Sequence, residues 1–359
     1  MTTLDDIRER LTEIRSPGFS RDIVALGMVR SIDVGNGAVT VHLEPPAMPR
    51  QSLDATIADI RRALGAFEGI NAVNVRVLQA GQPAEGRDAF GEQGPVPGVQ
   101  DIIAVASTKG GVGKSTVAVN LALALSRLQR RVGLLDADVY GPSLPIMLGM
   151  AGRPHVTESK RIVPLEKHGL RLMSIGFFLD DNSPVIWRGP LVMGLVRQFL
   201  KDVEWGELDI LVVDMPPGTG DAQLTLVQQV PLAGGVVVTT PQEVATLDVQ
   251  RGIAMFRQVN TPVLGIVENM SYYLCPTCGT RDDLFGSGGG ERIAERFGVP
   301  LLGQIPLLPA VRAAGDAGTP IVAERPEHPV SRLFLEIARK VAEAVEVERL
   351  AAPPPTIIG

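Results

Sequence analysis

The sequence predicts an α/β fold, a mostly parallel sheet with helices on both faces, preceded by a small α+β domain. Three observations carry this reading. Beyond residue 100, seven short and continuous apolar runs alternate with helical stretches. Unbroken runs of that kind suit parallel strands buried on both faces, whereas a half-exposed strand alternates. Before residue 80 the pattern instead gives amphipathic helices and alternating strands, and a Gly/Pro-rich stretch separates the two regions.

In chain order, Leu4, Ile7, Leu11 and Ile14 recur at helical spacing and predict a first helix. Strand patterns follow at Leu26–Ile32 and Ala38–Leu43, with Asn36-Gly37 between them as a hairpin turn signal. A second helix spans about Gln51 to Phe67, with Leu53, Ile57, Ile60 and Leu64 on one face, and Val73, Val75 and Val77 suggest a third strand. Residues 1–80 are thus a small α+β domain just large enough for its own core. Residues 81–100, with Gly81, Pro83, Gly86, Gly91, Gly94, Pro95, Pro97 and Gly98, read as a linker spanning roughly 25 Å. The larger domain, 101–349, contains the runs Ile102–Ala106, Val132–Leu135, Leu170–Ile175, Ile210–Val213, Val236–Val238, Val263–Val267 and Leu301–Ile305. Its last helix, about Pro329 to Val347, is expected to bury Leu333, Ile337, Val341 and Val345, and 350–359 reads as a disordered tail.

Composition excludes several function classes. The 359 residues are 45% hydrophobic and 21% charged, ordinary for a globular chain. A net charge of -6 argues against a nucleic-acid or anionic-membrane surface, and three Tyr and two Trp offer few stacking platforms. The N-terminus is a charged helix and no apolar run of about 18 residues occurs, so a cytoplasmic protein is expected.

The run IIAVASTKGGVGKSTVAVNLALAL reads as strand, loop, helix, and Lys109–Thr116 as a phosphate cradle. Gly110, Gly111 and Gly113 let the loop wrap so that backbone N–H groups, Val112 included, point at phosphate oxygens. Lys114 carries charge to the β- and γ-phosphates, and the Ser115 hydroxyl is placed to ligate Mg²⁺, with Thr116 beside it on the helix start. ATP is the expected nucleotide. Thr108 stands where the Walker pattern requires its first Gly. Two acidic strand ends complete the site: Asp136 and Asp138 in LLDAD, and Asp214 before MPPG. Carboxylates there project into the ligand crevice of such sheets. Asp214 is expected to partner Ser115 at Mg²⁺, and Asp138 to orient the attacking water.

Lys109 is not needed to fill the cradle. It resembles the signature lysine of the deviant Walker A motif in the class of MinD and the nitrogenase iron protein. That resemblance implies a homodimer in which this lysine reaches the partner's nucleotide. The chain's two cysteines, Cys275 and Cys278, form a CxxC pair after a predicted strand. Such a pair is half a metal site, a thiol–disulfide couple or coincidence, and the βαβ context of a thioredoxin-like couple is missing. Two thiolates cannot close a tetrahedral shell, and the four His are scattered. A symmetric dimer would assemble Cys₄, which suits a [4Fe–4S] cluster or zinc.

Thr108–Thr116, LLDADVYGPSLP (134–145), WRGP (187–190), DMPPGTGD (214–221), and ENMSY with CPTCG together resemble the Mrp/ApbC family of iron–sulfur cluster carriers, among the MinD-like ATPases. The resemblance covers most of residues 100–345. It implies slow ATP hydrolysis and a labile cluster bridged between two subunits, received from a donor and passed to recipient apoproteins. It also implies that Asn269 reads the adenine edge. Residues 1–80 resemble the small iron–sulfur-assembly domain often fused ahead of these ATPases. Where that domain often carries a cysteine, Pro45–Pro49 has none. The expected function is an ATP-dependent cluster carrier. The alternatives are a MinD/ParA-like positioning ATPase, or a dimeric ATPase with structural zinc.

Overall fold

The computed structural model describes residues 4–14, 22–24, 28–35, 38–43, 50–67, 70–77, 94–179, 189–218, 221–242, 244–275 and 277–351. The predicted Asn36-Gly37 turn, the linker residues 81–93, the Pro45–Pro49 stretch, Trp187-Arg188 and tail residues 352–359 lie outside them. The chain divides into two compact units, Met1–Ala89 and Phe90–Gly359.

In the first unit, α1 (Leu4–Leu11) is followed by β1 (Val29–Gly35), β2 (Ala38–Leu43), α2 (Arg50–Gly65) and β3 (Ala72–Val77). β1 and β2 pair antiparallel, while β3 lies parallel to β2 because α2 crosses between them. Ile7, Leu11, Val39, Val41, Ile60 and Leu64 are fully buried in one core. The first strand starts later than its apolar pattern suggested, at Val29, and runs on to Gly35.

The second unit runs β4 (Val99–Ala106), α3 (Lys114–Arg127), β5 (Val132–Asp136), α4 (Leu144–Met147), β6 (His155–Val156), β7 (Ile162–Val163), β8 (Leu165–Lys167) and β9 (Leu170–Ser174). It continues through α5 (Gly189–Lys201), β10 (Leu208–Asp214), α6 (Asp221–Gln229), β11 (Gly234–Thr239), α7 (Val244–Gln258) and β12 (Val263–Leu274). Last come β13 (Arg281–Asp282), α8 (Gly289–Phe297), β14 (Leu301–Leu307), α9 (Pro309–Asp316), α10 (Ile321–Glu324) and α11 (Pro329–Ala351).

The nine-stranded sheet has the order β13-β12-β11-β4-β10-β5-β9-β8, with β14 also paired to β12. Each of the seven apolar runs forms one of its parallel strands; β8 and β13 are antiparallel additions. Along β4 the side chains divide between two cores: Ile103 and Val105 face α3 and α11, whereas Ile102, Ala104 and Ala106 face the side of α5–α8. Burial on both faces is the physical reason these strands read as unbroken apolar runs. The second unit is thus the predicted mostly parallel α/β sheet with helices on both faces, and the first a small α+β domain.

Two expectations shift in detail. β4 begins at Val99, inside the stretch read as linker, and α11 extends to Ala351, into the stretch read as tail. The buried face of α11 carries Phe334 where Leu333 was expected; Leu333 is only half-buried, while Ile337, Val341 and Val345 are buried as read. At 100° per residue, Phe334 lines up with Ile337, Ala338 and Val341, and it is fully buried in the core that α11 shares with α3. Among the described residues, no helix is long and apolar enough to cross a membrane.

Candidate functional site

The C-terminal ends of β4, β5 and β10 are neighbours in the sheet, so everything that follows them converges on one crevice. β4 leads into the Gly110–Gly113 loop, and α3 begins at Lys114. Gly113 holds φ 81°, a left-handed backbone that side chains disfavour. A Cβ there would also meet Asn269 Nδ2 at 2.2 Å, so both the conformation and the close approach require glycine. Val117 N–H donates to Gly113 O at 3.0 Å, closing the first helical turn. Val112 is buried, and Asn269 Nδ2 donates to its carbonyl at 2.8 Å. Ser107 Oγ donates to Lys109 O at 2.9 Å. The Thr108 methyl packs toward α7, where a Cβ on Gly252 would come within 3.1 Å of it.

Lys114 is buried, and its Nζ contacts the Asp214 carboxylate and lies 3.3 Å from Ser115 Oγ. Asp214 thus stands beside Ser115 and Lys114. Asp136 is its register partner across β5 and β10. Both Asp136 oxygens are fully engaged. Oδ2 accepts from Ser143 N (3.1 Å), Leu144 N (3.2 Å) and Ser174 Oγ (3.0 Å), and Oδ1 from Asp138 N (3.1 Å). Burial pushes its carboxyl up to about 7, aided by the nearby Asp214 charge and opposed by those hydrogen bonds. Burial also raises Asp214, against the pull of Lys114 and Ser115. Asp136 therefore organises the loop leading into α4. Asp138, at the loop's half-buried start, accepts from Gly141 N at 3.2 Å.

Lys109 sits differently from a lysine that simply projects outward. Its Nζ is 2.5 Å from Asp248 Oδ2 on α7, and Arg251 flanks the same carboxylate at 3.4 Å. Sequence reasoning missed Asp248, because a lone Asp in a helix carries no motif. It also missed Gln223 of α6, a buried amide whose Nε2 donates to Ser107 O at 3.3 Å and to Pro216 O. Gln223 thereby ties the phosphate loop to the loop after Asp214. A cavity of about 350 Å³ opens beside Gly113 and Thr116, lined further by Asn269, Pro306, Leu307 and Arg312. Pro306 and Leu307 end β14, and their position at a parallel strand's C-terminal end was the available signal.

The cysteines lie at the far end of β12. Its antiparallel pairing with β13 sets Tyr273 opposite Asp282 and Leu274 opposite Arg281. Cys275 N–H donates to Thr280 O at 3.0 Å and Gly279 N–H to Cys275 O at 2.8 Å, so the pair occupies a tight hairpin loop. Cys278 is exposed and Cys275 half-buried. Cys278 Sγ lies 3.1 Å from Thr280 Oγ1, and hydrogen bonding from Thr280 and Cys275 lowers its thiol below the usual range. Arg281 stacks over the Tyr272 ring at 4.2 Å, stiffening the hairpin's base. Among the described residues, no group of three or more His, Cys, Asp or Glu could hold a metal.

Residues 98–342 match the family described as NUBPL iron-transfer P-loop NTPase, and residues 4–77 match the iron-sulfur cluster assembly protein family. An iron-sulfur cluster carrier protein of Synechocystis sp. is 45% identical over 98% of this chain and 100% of its own length. The mouse iron-sulfur cluster transfer protein NUBPL is 42% identical over 89% of this chain and 95% of its own. Among solved structures, a nucleotide-binding protein from Archaeoglobus fulgidus in complex with ADP is 40% identical. It covers 67% of this chain and 93% of its own, with a TM-score of 0.59. The MinD protein of Pyrococcus horikoshii complexed with Mg-ADP shares the fold at 20% identity and a TM-score of 0.53, over 69% of this chain and 98% of its own.

Proposed function

We propose, from the premise that this chain belongs to the NUBPL iron-transfer P-loop NTPase family, that it is an ATP-dependent carrier of a [4Fe–4S] cluster shared between two subunits. The observation that carries the finer reading is the CxxC hairpin. Cys275 and Cys278 offer two thiolates at an exposed tip, and no third ligand group joins them among the described residues. Half a tetrahedral shell is completed when a second copy of the hairpin meets the first. The cluster is then cargo, received from a donor and released to a recipient apoprotein.

The nucleotide half of the reading rests on Thr108–Thr116. The backbone N–H groups of Gly110–Gly113 cradle phosphate oxygens, and those oxygens compete with Asp214 for the Lys114 ammonium. Ser115 and Asp214 fit Mg²⁺, both being hard oxygen donors beside Lys114, and the ion would neutralise charge on the phosphates. Asn269 and the Pro306–Leu307 cavity suit the adenine base. Asp138 is assigned to orient the attacking water, and Asp136 to hold its loop. For Lys109 to reach a partner's nucleotide it must leave Asp248, so dimer closure exchanges one anionic partner for another.

Anaerobic reconstitution followed by iron, sulfide and zinc analysis tests the proposal. The expected result is about one [4Fe–4S] cluster per two chains, lost in Cys275→Ala and Cys278→Ala while nucleotide affinity is kept. Stoichiometric zinc without cluster absorbance would replace the carrier reading by structural zinc, since Cys₄ accepts either.

A further inference from the structure

Glu268 is a carboxylate with no exposure, one residue before Asn269 on β12. Three elements donate to it. Ser271 Oγ donates to Oε1 at 2.5 Å and Gln304 Nε2 to the same oxygen at 3.1 Å, while Gly290 N, in the first turn of α8, donates to Oε2. Gly290 is itself shaped by this contact, because a Cβ there would come within 2.8 Å of Glu268 Oε2. Burying a carboxylate is costly unless hydrogen bonds offset it, and among the described residues its three donors lie outside the nucleotide site.

Its place on β12 shows what it can do. β12 carries Asn269, which holds the Val112 carbonyl of the phosphate loop, and ends at the cysteine hairpin. Between the two it is irregular. Asn269 pairs with Ile305 and Tyr273 with Leu307, so β12 advances four residues (269 to 273) while β14 advances two (305 to 307). Met270 sits in this bulge with a left-handed φ of 55°. A bulge of that size is slack: a displacement of Asn269 would be absorbed there before reaching Cys275. Ser271 lies inside the bulge, 1% exposed, and its bond to Glu268 spans the irregular turn.

We infer that the Glu268–Ser271 pair is a clasp that removes this slack, so that nucleotide occupancy at Asn269 changes the setting of the Cys275–Cys278 hairpin. Both are positioning residues, acting through Asn269 on one side and the hairpin on the other. The inference rests on the nucleotide and cluster sites proposed above and names the device that couples them. A shared strand is only an intermediate in space; coupling has to be measured.

The measurement uses the reduced, cluster-free full chain, whose only thiols are Cys275 and Cys278. The rate of their alkylation by iodoacetamide is compared with and without ADP or a non-hydrolysable ATP analogue. In the parent protein the nucleotide should change this rate about fivefold or more, the lower end of ordinary coupling. Ser271→Ala should bring the ratio to within about twofold of one while nucleotide affinity and the circular dichroism spectrum stay those of the parent. Glu268→Leu, which has no acceptor oxygen for Ser271, should do the same through the other partner. A parent-like ratio in both variants overturns the clasp and leaves the carrier reading intact. A ratio of one in the parent itself overturns the coupling, and the clasp with it.

Discussion

Asp136 and Asp214 show how position alone sets the behaviour of a residue. Both are aspartates at adjacent strand ends, both are buried, and they face different company. Asp214 meets an ammonium, whereas Asp136 meets four hydrogen-bond donors and the Asp214 charge. In the folded chain Asp136 holds its proton up to about pH 7; unfolded, it ionises near its ordinary value of 3.8. Between those limits the folded state binds more protons, so the contribution of Asp136 to stability falls as pH rises. Asp136→Asn cannot titrate. Calorimetry of the nucleotide-free protein should therefore show the Tm of the variant gaining on the parent from about pH 4 to 7, whatever its absolute value. A difference that stays constant across that range would mean Asp136 is ionised throughout. Lys109 makes the same point with opposite charge: a motif residue expected to reach a partner's nucleotide is held at 2.5 Å by Asp248, a residue outside any motif.

At the scale of elements, α11 is the clearest case of packing correcting a pattern. Leu333 and Phe334 are adjacent and both apolar, but at 100° per residue Phe334 falls among Ile337, Ala338, Val341 and Val345, and Leu333 at the edge of that stripe. Packing into the core buries Phe334 completely and leaves Leu333 half-buried. Phe334→Ala should cost about 3–5 kcal/mol of stability, and Leu333→Ala clearly less. Denaturant unfolding followed by far-ultraviolet dichroism would report both, and equal losses would place the two residues on the same buried stripe. β12 is the opposite case, an element longer than its apolar run. The apolar run Val263–Val267 ends at the buried polar pair Glu268 and Asn269, and the strand continues to Leu274 with β13 and β14 paired to it.

For the whole molecule, the proposed carrier role turns on two cysteines that no third ligand group joins among the described residues. A cluster held by two copies makes assembly depend on loading. Sedimentation velocity should find the reconstituted protein as a dimer, and Cys278→Ala treated identically as a monomer at the same concentration and without nucleotide. A cluster-loaded monomer would require other ligands and would overturn the shared site. The measurement is independent of ATP, so it separates cluster-bridged association from closure around Lys109.

Much of this was legible in the residues themselves. Glycines at 110, 111 and 113 beside Lys114 and Ser115 specify a phosphate loop through local backbone chemistry, and seven apolar runs specify seven doubly buried strands through solvation alone. Cys275 and Cys278 were found because spacing is a local property. Tertiary structure alone decided what depends on residues distant in the chain: Asp248 against Lys109, Gln223 bridging Ser107 and Pro216, and Gln304 and Gly290 meeting at Glu268. Apart from Gln223 and Pro216, which are 7 residues apart, those contacts join positions separated by 22 to 139 residues, and no periodicity or motif encodes them. The sequence determined the phosphate-loop glycines and the cysteine pair, which are local. The pairing of β12 with β11 and β14 decided which distant residues meet at Glu268, because pairing is a property of the folded sheet.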